Sequence, residues 1–218
     1  MALYRKVREH VGVAKVGLSL FVEHGPLAVE AFKDEGAKVF LDLKLHDIPN
    51  TVELASARAA KLGVSYLTVH ASGGLAMLRA AVEGVRKGAA EAKVPEPKVL
   101  AVTVLTSLDG PALAAIGIND APDVQVERLA ALAKQVGVAG VVCSPREALA
   151  LRKLLGLAFM LCTPGIRPAG TDAGDQARAE TPESAIASGS DLLVVGRPIY
   201  GAEDPVEAAR KIVSAIAG

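Results

Sequence analysis

The sequence predicts an α/β protein in which parallel strands alternate with helices. Seven short apolar, strand-like segments occur near residues 14, 41, 68, 101, 141, 160 and 194, with helical patterns between them. Regular alternation of this kind produces a parallel sheet with right-handed crossovers. At 218 residues the chain fits a single domain, residues 1–218, and we expect a (β/α)8 barrel, with a doubly wound open sheet as the alternative.

The first half of the chain shows strands and helices in regular order. Two of its helices stop before a glycine, Gly36 and Gly63, which is typical of helix C-termini. The expected segments are helix 1–11, strand 13–18, helix 26–35, strand 39–45, helix 51–62, strand 66–71, a helix through about 87, and strand 98–105.

The second half is recognisable by helix starts in which a capping residue precedes a proline. Ser144-Pro145, Thr181-Pro182 and Asp204-Pro205 have this pattern, and Glu147 and Glu207 complete capping boxes. These helices follow the expected strands 140–143, 158–163 and 192–195, and a further helix covers about 124–136.

The composition restricts the possible partners and cofactors. Lysine plus arginine and aspartate plus glutamate both number 24, so the zero net charge argues against nucleic acid as a partner. The chain has no run of eighteen apolar residues and no signal-peptide pattern, so we expect a soluble cytoplasmic protein without membrane association. Cys143 and Cys162 lie in apolar runs and are expected as reduced core thiols. The histidines and cysteines show no metal-ligand spacing, and we expect no metal.

The stretch from Val39 to Thr51 concentrates the charged chemistry. Aliphatic residues alternate with Asp42 and Lys44, and a period of two places these two charges on the same face of a strand. Parallel strands are covered on both faces, and a buried charge must be paired, so the pair indicates a functional site. The alternative is a surface ion pair on an exposed sheet face. Pro49 interrupts the ladder and places Asp47 at the end of the strand or just past it.

Other predicted strands also end in polar or glycine-rich residues, at the positions where barrel enzymes carry their functional groups. Each such end is explained by a turn when taken alone, whereas together they indicate a shared site. They are Lys15, His70 to Gly74, Thr106 with Ser107, Thr163 to Arg167, and Gly196 with Arg197.

Two of these ends suit a phosphate group. Gly196 and Arg197 follow the last strand, where glycine lets backbone N–H groups approach a ligand and arginine can contact phosphate through two hydrogen bonds. Arg167 and Gln176 lie in the polar loop 165–180 and could supply further donors. That loop is interpreted as a lid over a phosphate, with a disordered surface loop as the alternative.

Two further polar positions have more than one interpretation. Thr106 and Ser107 are neutral hydrogen-bonding groups that suit the edge of a heterocycle, but a helix cap explains them equally well. His70 is expected to be a buried, hydrogen-bonded histidine rather than a catalytic base.

The pattern Asp42-x-Lys44-x-x-Asp47-Ile48-x-x-Thr51 resembles the signature of the orotidine 5′-phosphate decarboxylase family. The resemblance covers nearly the whole chain from about residue 3, with its motifs in family order. These motifs include Lys15-Val16-Gly17, Thr68-Val69-His70-Ala71, Val102 to Ser107, Pro164 to Pro168, Gly174-Asp175-Gln176 and Val194 to Ile199. The Asp-x-Lys-x-x-Asp element by itself is shared with related barrel enzymes, such as hexulose-phosphate synthases and ketogulonate-phosphate decarboxylases.

The resemblance implies cofactor-free decarboxylation of orotidine 5′-phosphate to uridine 5′-phosphate, a step of pyrimidine biosynthesis. Lys44 would donate a proton to C6 of the pyrimidine, Asp42 would face the substrate carboxylate, and Lys15 would contact the ribose. Asp47 and Thr51 would reach into the active site of the second subunit of a homodimer. The remaining substrate contacts would come from Thr106 to the base and from Arg167, Gln176, Gly196 and Arg197 to the 5′-phosphate.

One feature of the family pattern is missing at the start of the chain. The family begins with a strand that ends in an aspartate, and no such strand precedes Lys15. We therefore expect the chain to lack the first strand of an eight-stranded barrel and to be shorter than the functional protein. Two other functions remain open: a metal-dependent sugar-phosphate lyase of the same superfamily, and a nucleotide-binding dimer in which truncation has removed catalysis.

Overall fold

The computed structural model describes residues 1–168 and 180–217, which contain seven β-strands. This number and the approximate positions of the strands confirm the prediction from the sequence. The strands are β1 (Ala14–Gly17), β2 (Val39–Leu45), β3 (Tyr66–His70), β4 (Lys98–Val102), β5 (Gly140–Val142), β6 (Met160–Thr163) and β7 (Leu192–Leu193).

β1, β2 and β3 are hydrogen-bonded in that order, and so are β5, β6 and β7. The pairs β1–β2, β2–β3, β5–β6 and β6–β7 are parallel, which confirms the predicted α/β class. β4 is shorter than predicted because the chain turns soon after Thr103, where the N–H of Leu108 donates to the carbonyl of Leu105.

Eleven α-helices lie between and beside these strands in the described part of the chain, and three of them, α2, α6 and α10, were not predicted. The helices are α1 (Ala2–Val7), α2 (Leu18–His24), α3 (Pro26–Asp34), α4 (Pro49–Lys61), α5 (Gly74–Ala92), α6 (Gly110–Ala115), α7 (Pro122–Gln135), α8 (Pro145–Leu155), α9 (Pro182–Ala187), α10 (Arg197–Tyr200) and α11 (Pro205–Ala217).

The predicted helix starts carry the expected N-cap residues, but of the two predicted capping boxes only that of Glu147 is found among the described residues, since the Glu207 carboxylate accepts from Arg210 instead. Ser144 and Glu147 form a reciprocal capping box, in which the Glu147 carboxylate accepts from the Ser144 N–H at 2.8 Å. The hydroxyl of Thr181 accepts from the N–H of Ser184, and the carboxylate of Asp204 accepts from the N–H of Val206. These bonds satisfy N–H groups that have no partner within the helix.

The chain divides into two compact units, Met1–Ala101 with Val136–Ala139 and Val102–Gln135 with Gly140–Gly218. The first unit contains β1, β2 and β3, and its fully buried side chains include Leu41, Leu67 and Leu78. Within it, α5 packs closely on α4 because Gly84 and Gly88 have no Cβ atoms to collide with the α4 backbone.

In the second unit, the largely buried guanidinium of Arg152, on α8, connects several segments of the chain. It donates to the carboxylate of Asp191 at 2.6 Å and to the carbonyl of Gly189 at 2.6 Å. Three further carbonyl acceptors belong to Gly156, Leu157 and Phe159. Cys143 and Cys162 are buried thiols in this unit, as predicted. Within residues 1–168 and 180–217, no helix is both long and apolar enough to cross a membrane.

Candidate active site

A break in the regular pairing of β2 with β3 shapes the site. Leu41 pairs with Leu67 and Leu45 with Val69, so four residue steps on β2 face only two on β3. Lys44 lies in this bulge with a φ of 51°, a left-handed conformation that costs a residue other than glycine about 1–2 kcal/mol. The predicted strand 39–45 is confirmed, but its pairing with β3 is irregular, and the bulge sets the position of Lys44. Bulges and strained residues of this kind occur often beside active sites.

The Asp42 carboxylate is the centre of a compact group of polar side chains. Lys44 Nζ donates to Oδ1 at 2.8 Å and to Oδ2 at 2.9 Å, and the Thr68 hydroxyl donates to Oδ1 at 2.9 Å. Lys15 Nζ lies 3.3 Å from Oδ2. We call Lys15, Asp42, Lys44 and Thr68 the Asp42 cluster. It places two ammonium groups on one carboxylate and carries a net positive charge.

The partners of Asp42 keep its carboxylate ionised. Asp42 is 9% exposed, and this burial raises its pKa. The hydrogen bond and charge of Lys44, the charge of Lys15 and the Thr68 hydrogen bond together outweigh burial, so the pKa of Asp42 lies below its ordinary value. The two lysine side chains are 37% and 30% exposed, and can therefore meet a ligand that approaches the cluster.

Lys15 reaches Asp42 because β1 pairs with β2 in a register that sets Gly17 beside Asp42. A Cβ atom on Gly17 would lie 2.8 Å from Lys15 Nζ. The glycine therefore leaves the space that the ammonium group occupies.

Two histidines lie next to the cluster, at the ends of β2 and β3. The rings of His46 and His70 have their centroids 5.3 Å apart, tilted by 33°. Burial, followed by the charges of His46 and Lys44, lowers the pKa of His70, while Asp42 acts in the opposite direction. The lowered pKa favours the neutral form of His70 near pH 7. The side chain is only half-buried, so the predicted burial of His70 is not found, and whether it acts as a base stays a prediction.

Asp47 and Thr51 are exposed and lie beyond the strand, at the start of α4. The Asp47 carboxylate accepts from the N–H of Ile48 at 2.6 Å. Among the described residues, no hydrogen bond or ion pair connects Asp47 or Thr51 to the Asp42 cluster. Their own chain therefore leaves both side chains accessible to another molecule.

The remaining predicted residues belong to the second unit. Thr106 is partly buried in the segment after β4, and Gly196 and Arg197 begin α10. Arg167 follows β6, and its backbone N–H donates to the carbonyl of Glu180 at 2.9 Å, which joins the two ends of the 165–180 loop. Gln176 and most of the predicted lid lie outside the described residues. Across the described parts of both units, no group of three or more histidine, cysteine, aspartate or glutamate side chains is arranged to hold a metal ion.

The model of the orotidine 5′-phosphate decarboxylase / HUMPS family matches residues 1–212. The chain belongs to this family. The orotidine 5′-phosphate decarboxylase of Moorella thermoacetica is 50% identical over 215 residues, which cover 98% of this chain and 85% of that relative. The decarboxylase of Anaeromyxobacter sp. strain K is 51% identical over 212 residues, which cover 97% of this chain and 90% of that relative.

Solved structures give the same family. The crystal structure of orotidine 5′-phosphate decarboxylase from Lactobacillus acidophilus superposes with a TM-score of 0.82 at 40% sequence identity, covering 94% of this chain and 86% of that chain. This likeness confirms the predicted barrel fold class.

Two residues of the candidate site were given no role from the sequence. Thr68 and Gly17 occur in motifs that carry the family resemblance, but a threonine within a strand and a glycine at a strand end are ordinary when taken alone. Only the pairing of three distant strands shows that Thr68 bonds to Asp42 and that Gly17 makes room for Lys15.

Proposed function

We propose that this protein converts orotidine 5′-phosphate to uridine 5′-phosphate and CO2 without a metal or organic cofactor, as a cytoplasmic step of de novo pyrimidine biosynthesis. The observation that carries the proposal is the Lys44 ammonium group, which lies on a buried, ionised Asp42 with Lys15 beside it. The names of the relatives support the choice of substrate.

Lys44 supplies the chemistry in this proposal. When the bond between C6 and the carboxyl carbon breaks, CO2 leaves and the electron pair stays on C6. A fixed ammonium group next to C6 stabilises that charge and then transfers a proton to form the C6–H bond. Lysine suits this role because, unlike arginine, it can give up a proton. Water then restores the proton of Lys44.

Asp42 has two functions in this scheme. It orients Lys44 through both carboxylate oxygens, and it faces the carboxylate of the bound substrate. The repulsion between the two anions is relieved as CO2 leaves, which favours the forward reaction.

The rest of the nucleotide is bound by groups remote from C6. We assign the ribose contact to Lys15 and the base contact to Thr106. The 5′-phosphate is assigned to Arg167, Gln176, Gly196 and Arg197. Binding energy from the phosphate can be used to position the base against Lys44, so truncated substrates should lose turnover as well as affinity.

The proposed enzyme is a homodimer in which each site uses Asp47 and Thr51 of the partner subunit. Two observations support this arrangement. Both side chains are exposed, and among the described residues neither has a hydrogen bond or ion pair to the Asp42 cluster of its own chain. A mixture of inactive Lys44→Ala and inactive Asp47→Ala chains tests it. Random exchange should restore about one quarter of the wild-type sites, because each hybrid dimer then has one intact site. No recovery after confirmed subunit exchange would contradict the shared site.

The second candidate is a metal-dependent sugar-phosphate lyase. The family name pairs the decarboxylase with HUMPS, which we take to denote the hexulose-phosphate synthases that share the Asp-x-Lys-x-x-Asp element. Release of labelled CO2 from orotidine 5′-phosphate, with and without a chelator, distinguishes the two. We expect full activity in the chelator. Loss of activity on chelation that Mg²⁺ restores, or turnover of a hexulose phosphate only, would replace the proposal with the lyase.

A further inference from the structure

The Thr68 hydroxyl makes two hydrogen bonds to two residues of the proposed catalytic site. Its oxygen accepts from the backbone N–H of Lys44 at 2.9 Å, and its proton is donated to Asp42 Oδ1 at 2.9 Å. The directions are fixed, because an amide N–H can only donate and an ionised carboxylate can only accept. Thr68 is completely buried.

We propose that Thr68 is a positioning residue that fixes the backbone and the ammonium group of Lys44 in a single geometry. This inference rests on the proposed function, in which Lys44 protonates C6. The hydrogen bonds form a closed ring that leaves Lys44 at its N–H, passes through Thr68 and Asp42, and returns to Lys44 at Nζ. Thr68 therefore acts on both ends of the same lysine.

The bulge explains why the backbone of Lys44 needs this support. Two extra residues on β2 break the regular ladder with β3, so the Lys44 N–H has no regular ladder acceptor. A backbone N–H without an acceptor away from water costs free energy, and the left-handed φ of Lys44 adds to that cost. The Thr68 side chain takes the place of the missing carbonyl acceptor and stabilises this conformation.

The carboxylate of Asp42 needs the same support. Lys44 bonds to both oxygens of Asp42. With these bonds alone, the carboxylate could still rotate together with the flexible lysine side chain. Thr68 is attached to the neighbouring strand, and its branched Cβ restricts its side-chain rotation. The hydroxyl therefore anchors Asp42 Oδ1 to β3. Because Lys44 Nζ bonds to that same oxygen, the position of the ammonium group is fixed relative to the sheet.

Thr68→Val tests the inference because it removes the hydroxyl and keeps the shape and branching. We expect kcat to fall about 10- to 100-fold, with KM for the nucleotide changed by less than about threefold, because misplacement by less than an ångström affects the reacting geometry more than binding. Thr68→Ser restores the hydroxyl and should recover most of the lost kcat. Thr103→Val is the matched control, since its buried hydroxyl donates to the Val142 carbonyl at the same 2.9 Å and has no bond to the Asp42 cluster.

A second measurement does not depend on activity. Carboxyl-carbon NMR of the aspartates should show a higher pKa of Asp42 in Thr68→Val than in the wild type, while Thr68→Ser and Thr103→Val leave it unchanged. An unchanged kcat in folded Thr68→Val would overturn the positioning role, even if the Asp42 titration moves, because the hydrogen bond would then exist without affecting the reacting geometry of Lys44. A wild-type protein that does not decarboxylate orotidine 5′-phosphate would overturn the proposed function, and a changed Asp42 titration in Thr68→Val would then still show the bond between Thr68 and Asp42.

Discussion

Asp42 in the first unit and Arg152 in the second each carry a charge beneath the surface, and both side chains are 12% exposed. Arg152 is surrounded by acceptors that belong to the backbone or to a short side chain, namely the carbonyls near Gly189 and the Asp191 carboxylate. Asp42 is surrounded mainly by two long, partly exposed lysines.

The difference separates a structural charge from a functional one. The partners of Arg152 are fixed by the fold, so its bonds hold α8 to the segments around Gly156 and Gly189. The partners of Asp42 leave a surplus of positive charge that can meet an anionic ligand. A buried charge whose partners are fixed contributes to stability, whereas one with surplus counter-charge near the surface indicates a site.

Lys44→Ala should give the largest effect, and mainly on activity. We expect decarboxylation to fall by more than about 1,000-fold, because the proton donor and the main stabilising charge are both removed. Stability in urea unfolding should also fall, by about 1–3 kcal/mol, because the buried Asp42 carboxylate loses both bonds from Lys44 and keeps only its other partners. Residual turnover within about tenfold of the wild type would show that another group donates the proton.

Arg152→Ala should give the converse result. Loss of the guanidinium takes from the Asp191 carboxylate its charged partner, leaving it the N–H of Leu161, and removes the side-chain donor of several carbonyls. We therefore expect about 3 kcal/mol less stability in urea unfolding. Activity per folded molecule should remain. Arg128→Ala is the control, because the Arg128–Asp120 pair is exposed and should contribute less than about 1 kcal/mol. If both variants lost the same unfolding free energy, the buried Arg152 bonds would contribute no more to stability than an exposed ion pair, which would contradict the structural role of Arg152.

The bulge and the caps show what the sequence could and could not predict. Ser144-Pro145-x-Glu147 predicted its helix because a cap is a local interaction. The closeness of Asp42 and Lys44 was expected from strand alternation, but it arises from a bulge whose partner, Thr68, lies 24 residues beyond Lys44. Helix α2 was missed because it starts directly after β1 with no cap side chain.

His70 sharpens the comparison through its response to pH. Its pKa is lowered in the folded protein, so the unfolded chain binds more protons below the ordinary value of 6.5. The stability that neutral His70 contributes is complete above that value and is lost as the pH falls through the folded pKa. Between about pH 7.5 and about pH 5, wild-type unfolding free energy should therefore drop more than that of His70→Gln. His24→Gln, at an exposed histidine, is the control, and parallel curves for wild type and His70→Gln would contradict the prediction.

Ser56 provides the smallest effect and a third kind of buried polar group. Its hydroxyl is fully buried on α4 and has no hydrogen-bond partner among the described residues. Ser56→Ala should stabilise the protein by about 1 kcal/mol, since the unsatisfied group is removed. Ser214→Ala is the control. Ser214 lies on the exposed face of α11, so this variant measures the gain in stability that comes from helix propensity alone. An equal gain in both variants would mean that the Ser56 hydroxyl is satisfied.

The left-handed backbone of Lys44 has a consequence for directed evolution. Lys44 and Lys93 are the two residues other than glycine with positive φ in the described chain, and glycine would relieve about 1 kcal/mol at either position. At Lys93, an exposed helix end, such a change costs nothing else. At position 44 it deletes the proposed proton donor and both Lys44 hydrogen bonds to the buried Asp42 carboxylate, which offsets the relief of strain. A library selected for heat resistance alone would therefore enrich glycine at position 93 and keep lysine at position 44, so the strained backbone there is retained by the bonds of its side chain.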